Sequence, residues 1–354
     1  MLNEELMSQQ LTYADIDEMQ ETFHAKAWSD GLPVIPPTVE KVRAMIAGSR
    51  RSAREVIGVI PPRYAEATVE NVAVNAVMAG CLPAHMPVLV TAIEAACDPR
   101  FGLYSVQATT HPCGVAMMVS GPLAAELGIH SGYGLFGPGF RANACLGRAM
   151  RLVLRNVGGG LPGAGDHSTQ GSPGKFSYCF AENEAATPWA PYRVDAGFRV
   201  EDSTVTVVSA EAPHNINDHV CTSGRNILLT AASTMATLGN NNSAGIQEGD
   251  LMVVLGPEHA RQIADDGMSR RDVQEFLFEH ARIPVRVHRD KAMWKMMKWP
   301  DWVDTGNDDT LVPIVGQAED IHVVVAGGAG KHSAFLPTFG LYKSITRKIE
   351  RGDY

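Results

Sequence analysis

The sequence lacks a long apolar run and a basic, apolar leader. No apolar stretch approaches the roughly 18 residues that a membrane-spanning helix needs. Residues 1–6 are acidic rather than basic, which is not the pattern of a secretory signal peptide. We therefore expect a soluble, cytoplasmic protein with no membrane partner.

Paired cysteine motifs and basic clusters are also missing. The six cysteines are scattered without C-x-x-C spacing, which excludes a zinc ribbon and gives no sign of a disulfide framework. The formal net charge is -9, and the densest basic run is only Arg50, Arg51 and Arg54. Because phosphate-binding surfaces need clustered Lys and Arg, we expect no nucleic-acid partner.

The chain has ample material for a large core. Its 354 residues are 45% hydrophobic and 19% charged, a balance that excludes general disorder. This length favours two domains over one. The 34 glycines and 21 prolines predict many turns with a defined backbone geometry.

One segment recurs in the two halves of the chain. Residues 116–132 and 251–267 align without gaps and share Gly121/Gly256 and Pro122/Pro257, and each is preceded by an apolar helical stretch. The pattern predicts a buried strand, a Gly-Pro turn and a short helix. We therefore predict an α/β fold of two pseudo-repeated helix–strand–Gly-Pro–helix halves, a two-lobed protein whose mixed sheets are covered by helices.

Composition along the chain suggests four regions. Residues 1–48 are interpreted as a helical arm followed by an extended, proline-rich segment, and residues 49–160 as the first α/β half. Residues 161–204 are rich in Gly, Pro and Ser and have little periodicity, which is typical of a functional loop. Residues 205–354 form the predicted second half, with a glycine-rich turn near its end.

The densest polar cluster follows a predicted strand and precedes a predicted helix. It contains His214, Asn215, Asp218, His219 and Cys221. The carboxyl end of a strand is where α/β proteins place their sites, and imidazole, carboxylate and thiolate are all metal ligands. We predict that His214 and His219 bind a divalent metal ion, with Cys221 as a further ligand or a nucleophile. Backbone satisfaction within a loop is the alternative.

The 161–204 region carries a second set of reactive side chains. Asp166 precedes His167 and could orient that imidazole as a base, while Lys175 offers a positive charge to a carboxylate or phosphate. Glu182 supplies an acid/base group or an oxygen ligand. A solvated turn-rich loop is the alternative interpretation.

A glycine-rich turn follows the last strong strand. Residues 326–333 read AGGAGKHS and depart twice from the phosphate-loop pattern. Exposed N–H groups and Lys331, His332 and Ser333 could still bind an oxyanion. Arg141, which follows Gly137-Pro-Gly139, is a further candidate for an anion.

Three weaker signals complete the pattern. His111 and Cys113 could form a nucleophilic pair, although a buried, inert Cys113 is favoured. Glu258-His259 replaces an apolar pair of the first repeat and suggests that only one of the two related sites is active. A Met/Trp stripe at 293–302 indicates core or subunit packing, which is compatible with a homo-oligomer.

These signals lead to one hypothesis: the loops meet in a cleft between the halves. The protein is then a metal-assisted hydrolase or lyase of a small anionic or carbonyl-containing substrate. The predicted residues are His167, Asp166, Glu182 and Cys221 for catalysis, Lys175, Lys331, His332, Ser333, Arg141 and Asn215 for substrate, and His214 and His219 for metal. A metal-free cysteine enzyme and a non-catalytic sensor or assembly protein remain open. Placement of His167, His214 and Lys331 on separate surfaces would contradict the shared cleft.

Overall fold

The computed structural model describes residues 5–244, 248–289 and 299–350. Across this part of the chain helices alternate with strands, and the sheets are mixed. The predicted α/β class is therefore confirmed at this level. Residues 293–298 of the Met/Trp stripe lie outside the described residues. None of the described helices is long and apolar enough to cross a membrane.

Helix starts follow local capping chemistry. The side chain of Thr38 accepts a hydrogen bond from the third residue of its helix, and Thr68 forms a reciprocal capping box with Asn71, as threonine favours at a helix start. The α-helices are α1 (Ile16–Ala25), α2 (Val39–Ser49), α3 (Val69–Ala79), α4 (Met86–Ala96), α5 (Leu103–Ala108), α6 (Pro122–Glu126), α7 (Arg141–Asn156), α8 (Tyr192–Asp195), α9 (Gly224–Met235), α10 (Pro257–Asp265), α11 (Arg270–His280) and α12 (Val285–His288). Short 3-10 helices cover Pro83–His85, Pro99–Phe101, Pro173–Lys175, Asn242–Ala244 and Ala318–Asp320.

The strands form two four-stranded sheets and two small hairpin-like pairs. The strands are β1 (Val56–Ile60), β2 (Ala65–Thr68), β3 (Gly114–Ser120), β4 (Cys179–Ala181), β5 (Thr204–Ala210), β6 (His214–Asn217), β7 (Leu251–Leu255), β8 (Arg282–Pro284), β9 (Leu311–Pro313), β10 (Ile321–Val325), β11 (His332–Leu336) and β12 (Ile345–Lys348). Sheet 1 has the order β12-β5-β3-β4, and sheet 2 has the order β10-β7-β11-β6. β1 pairs with β2 and β8 pairs with β9, both antiparallel.

The two large sheets have the same pattern of strand directions. In sheet 1, β3 is parallel to β4 and antiparallel to β5, which is antiparallel to β12. In sheet 2, β7 is parallel to β10 and antiparallel to β11, which is antiparallel to β6. β3 and β7, the strands of the two similar segments, therefore occupy matching positions. Each is followed by a glycine and a helix that begins at proline.

The two sheets pack against each other through a shared apolar layer. Met118 of β3, Phe180 of β4, Val254 of β7 and Leu336 of β11 lie in this layer and are almost completely buried. The opposite face of sheet 1 packs on α3, α4 and α7, and that of sheet 2 on α9, α10 and α11. Because each sheet is covered on both faces, its central strands are almost continuously apolar. The order of layers is helix, sheet, sheet, helix.

Sheet membership does not follow the predicted regions. β5 (204–210) and β12 (345–348) fall almost entirely in the predicted second half of the chain. Both nevertheless lie in sheet 1 with β3, a strand of the predicted first half. β4 lies inside the predicted 161–204 loop and is completely buried against β3. The sequence pattern missed β4 because three residues are too few to show a period.

Shortening a side chain in the layer between the sheets is expected to lower the free energy of unfolding strongly. Met118 has no exposed surface, whereas Met7 is 72% exposed. We expect Met118→Ala to lower the free energy of unfolding by about 2–5 kcal/mol, because the substitution leaves a cavity between two sheets that cannot collapse fully. Urea unfolding would measure this, with Met7→Ala as the matched control. Equal midpoints for the two variants would contradict this description of the core.

Candidate functional site

A cleft lies at the carboxyl ends of β7 and β10. One cavity of about 360 Å³ is lined by Asn215 on β6 and by His332 and Ser333 at the start of β11. A second cavity of about 670 Å³ is lined by Lys331 and the α10 helix. The two share Tyr133 and the residues Gly327 to Ala329, and we call them together the sheet 2 cleft. The ends of parallel strands are the usual place for a site in this fold class.

Two imidazoles face each other at this cleft. The Nε2 atoms of His219 and His332 are 2.9 Å apart, and both side chains are exposed. His332 Nδ1 lies 2.9 Å from Asn215 Oδ1, which can only accept a hydrogen bond. The proton of neutral His332 therefore sits on Nδ1, and its Nε2 lone pair accepts the Nε2–H of His219. Once the His219 ring turns away, that lone pair can accept a proton or bind a cation.

A buried serine–histidine pair lies beneath this rim. Ser333 Oγ is 2.8 Å from His259 Nδ1, and the N–H of Gly256 donates to the same oxygen at 3.0 Å. His259 Nε2 donates to the backbone carbonyl of Asp218 at 3.1 Å. Since that carbonyl can only accept, Nδ1 is unprotonated and accepts the Ser333 hydroxyl proton. Burial lowers the pKa of His259, which keeps it neutral.

The glycine-rich turn forms the wall between the two cavities. Gly327 and Gly330 adopt φ of 113° and 129°, a region that disfavours a side chain. The ring of Tyr133 packs where a side chain of Gly328 would be. Gly330 N donates to Glu258 at 2.7 Å, while the amides of Gly328 and Ala329 donate to no described residue. These two amides are available to an oxyanion or carbonyl.

The Asp218 side chain is bound by hydrogen-bond donors of its own loop and of α9. It accepts hydrogen bonds from Cys221 N at 2.9 Å, Val220 N at 3.3 Å and the Thr230 hydroxyl at 2.8 Å. Burial opposes ionisation of Asp218, but these donors prevail and lower its pKa to about 2. Asp218 in turn raises the pKa of the Cys221 thiol. A raised pKa is the opposite of what a nucleophilic cysteine needs.

The predicted Asp166–His167 pair is not formed. Asp166 is buried and accepts from Arg151 at 2.6 Å, from Lys175 at 2.8 Å and from Ser168 at 2.6 Å, while His167 is exposed. Burial opposes the Asp166 charge, but Lys175 and Ser168 lower its pKa to about 2. Asp166 and Lys175 therefore neutralise each other and anchor the loop, because a buried charge requires a partner.

Glu182 and Arg141 also have structural partners. Glu182 lies buried after β4 and accepts from Ser120 Oγ at 2.6 Å and from Tyr192 N at 2.8 Å; burial raises its pKa. Arg141 donates to the carbonyl of Gly80. Neither lines the sheet 2 cleft. The predicted meeting of the 160s–180s loop with the other two is therefore not made by these candidate side chains. The same loop does reach the cleft through Asn183, which donates to the Gly327 carbonyl at 3.1 Å and lines the larger cavity.

The predicted metal ligands are only partly brought together. His214 is exposed on β6 and makes no side-chain hydrogen bond in the described part of the chain, while His219 meets His332 instead. Among the described residues, no three His, Cys, Asp or Glu side chains converge as metal ligands. Lys331, His332, Ser333, Asn215 and His219 do lie together, so the predicted 214–224 loop and 327–333 turn form one site.

The sequence also left two histidine networks unassigned. His259 was visible only as a polar residue at an apolar position of the repeat, and its partner Ser333 is 74 residues away. At the opposite end of sheet 2, His322 joins Asp250 at 2.9 Å to the Tyr192 hydroxyl at 3.0 Å. His259 on α10 and His322 on β10 have partners far along the chain, so the sequence gave no signal of either contact.

The buried state of His259 predicts a pH-dependent stability. Its folded pKa is lower than the unfolded value of about 6.5, so unfolded chains bind more protons below that pH and stability falls on acidification. We expect the loss in free energy of unfolding between about pH 7.5 and about pH 5.5 to be smaller in His259→Gln than in the unsubstituted protein. Chemical denaturation at both pH values measures it. The exposed His167→Gln should keep the full loss, and an unchanged loss in His259→Gln would refute the assignment.

Comparison with known proteins finds no relative of this chain. No family model matches the chain, and neither the search of curated proteins nor that of solved structures gives a significant match. The contacts around His332, Ser333 and the glycine-rich turn are therefore the evidence for a function.

Proposed function

We propose that this protein is an enzyme that hydrolyses a small polar carbonyl compound in the sheet 2 cleft. The observation that carries the proposal is a convergence around a single cavity. One imidazole lone pair, one hydroxyl paired with a second imidazole, and two amides that donate to no described residue meet there. These are a base, a nucleophile or water-orienting group, and oxyanion donors. A lyase would need the base but not the paired hydroxyl, so hydrolysis is favoured.

Each group has a role that follows from its contacts. His332, held by Asn215 at 2.9 Å, accepts a proton at Nε2. The amides of Gly328 and Ala329 donate to no residue in the described ranges and would stabilise negative charge on the carbonyl oxygen. Lys331 makes one weak contact, 3.5 Å to the carbonyl of His219, and its charge can serve an anionic group of the substrate.

We further infer that the chain contains two related halves. Only in the second half does the carboxyl end of the central strand border an open cleft. The end of β3 is filled by the protein itself. Glu184 accepts from Gly121 N at 2.5 Å and pairs with Arg193 at 2.6 Å. The end of β7 borders the cleft, and no described carboxylate fills it in this way. Matching strand positions and Gly-Pro turns support a common origin, and the internal carboxylate explains why one half would be inactive.

A divalent metal ion is the second candidate for the cleft. The two facing Nε2 atoms of His219 and His332 favour it, as does the hydrogen bond from His332 Nδ1 to an amide oxygen, which is typical of metal-binding imidazoles. Catalytic zinc sites use three protein ligands, and the described residues supply two. The proposed hydrolysis therefore does not depend on a metal. Elemental analysis of the purified protein and of His332→Ala decides whether a stoichiometric ion is lost with this imidazole.

A cysteine enzyme and a non-catalytic sensor have less support. For a cysteine enzyme, burial raises the pKa of Cys113 to about 12, and the Cys221 thiol pKa is also raised. Cys221→Ser should therefore retain activity. For a non-catalytic sensor, the supporting feature is a cavity of about 830 Å³ between the N-terminal arm and α3, whose described lining holds no comparable set of reactive groups. Binding without turnover would favour the sensor.

Two model esters test the hydrolase proposal. We expect p-nitrophenyl acetate and its anionic analogue mono-p-nitrophenyl succinate to be hydrolysed, the anionic ester with the higher kcat/KM. His332→Ala should lower kcat about 10²–10⁴-fold, because a positioned base is lost. Lys331→Gln should lower kcat/KM about tenfold for the anionic ester only, because hydrogen bonds to charged groups contribute more than about 1.4 kcal/mol.

The matched control is the exposed His167→Ala, which should hydrolyse both esters at the unsubstituted rate. Release of p-nitrophenol measures each rate. The proposal fails if His332→Ala is as active as the control, or if neither ester is hydrolysed above the buffer rate.

A further inference from the structure

We propose that Ser333 is a nucleophile that forms a covalent acyl-enzyme, with His259 as its base. This inference rests on the proposed hydrolase function but adds a covalent step to it. Ser333 is the second residue of β11, and His259 lies in the first turn of α10. Their side chains meet because β11 pairs with β7, the strand that leads into α10.

The geometry is that of an activated hydroxyl. Ser333 Oγ donates to His259 Nδ1 at 2.8 Å, and His259 is held from behind by the carbonyl of Asp218 at 3.1 Å. A nucleophile, a base and a third group that fixes the base are the signature of covalent catalysis. Ser333 is 7% exposed and lines the 360 Å³ cavity, whereas His259 has no exposed surface. Of the two residues, only Ser333 borders the cavity.

The group behind His259 is rigidly placed. The Asp218 side chain is fixed by Cys221, Val220 and Thr230, so its backbone carbonyl cannot turn away easily. That carbonyl binds His259 only through Nε2–H, which leaves Nδ1 as the acceptor for Ser333. A neutral imidazole in this tautomer is the form that can remove a proton.

A purely structural role would not require the histidine. The first half offers a comparison at its own Gly-Pro turn, where Ser203, one position before the β5 residue that matches Ser333, accepts from Leu123 N at 3.0 Å. The residue aligned with His259 there is Ala124, which cannot accept a proton. Ser203 therefore supports its turn without an imidazole at that position. His259 is an addition of the second half, at the half whose cleft is open.

Acylation and deacylation of Ser333 need no reagent other than the substrate and water. The Ser333 proton moves to His259 Nδ1 as Oγ bonds to the substrate carbonyl carbon, and the carbonyl oxygen gains charge beside the amides of Gly328 and Ala329. Collapse breaks the bond to the leaving group, which departs with the proton from His259. Water then attacks the acyl ester, and the released acid regenerates the Ser333 hydroxyl. His332 Nε2, at the same cavity, takes a proton from that water and returns it to Ser333 Oγ as the acid is released.

A fluorophosphonate probe tests the nucleophile on the full chain. Such probes phosphonylate serines that are paired with a base. We expect desthiobiotin-fluorophosphonate to label Ser333, as located by mass spectrometry of the digested protein. His259→Gln should reduce labelling at least about tenfold, which is the effect expected when a general base is lost. Ser203→Ala is the matched control and should label fully. Rapid mixing with p-nitrophenyl acetate should give a burst of one p-nitrophenol per chain.

The outcomes separate this inference from the hydrolase proposal. Hydrolysis that depends on His332, without labelling of Ser333 and without a burst, overturns the nucleophile and leaves the hydrolase in place. Labelling of Ser333 that needs His259, without ester hydrolysis, supports the nucleophile and overturns the proposed reaction. Because the labelled site is located in the unsubstituted protein, a poorly folding variant does not prevent the test.

Discussion

The packing of one sheet on the other is the constraint on which the rest of this structure depends. Met118, Phe180, Val254 and Leu336 fill a layer that contains almost no water-accessible surface. Such a layer tolerates few polar atoms, because an unpaired buried polar group costs more than a hydrogen bond returns. Reactive groups are therefore confined to the ends of the strands. The glycine-rich turn after β10 and the Gly-Pro turn after β7 are two such ends.

Two buried carboxylates of the 161–204 region are bound by neighbouring hydrogen-bond donors. Asp166 has Lys175 and Arg151, and Glu182 has Ser120 and the amide of Tyr192. These networks hold the 161–204 region onto sheet 1 and use the groups that a substrate would need. The sheet 2 cleft differs because some of its groups have incomplete partners. His332 is held only by the exposed His219 and by Asn215, and two amides of the turn donate to none of the residues that the structure describes.

The two ends of the sheets also differ in what occupies them. In sheet 1 the carboxylate of Glu184 sits on the amide of Gly121. In sheet 2 the amide of Gly256 holds a serine hydroxyl, and the space beyond it is open to ligands. A closed end stabilises the fold, whereas an open end can carry chemistry. The same strand arrangement thus serves stability on one side and the proposed activity on the other.

Local patterns in the sequence were enough to predict the β7 and β10 strands from their apolar runs and the Gly-Pro turns from proline at the first helical position. It also located the 214–219 and 327–333 segments, because glycine and polar side chains after an apolar strand are a local signal. Three outcomes came from long-range packing instead: β5 and β12 join β3, Asp166 pairs with Lys175 rather than with His167, and Ser333 meets His259. Those outcomes depend on which strands pair across long separations, and side-chain partners in different strands leave no periodicity in the chain.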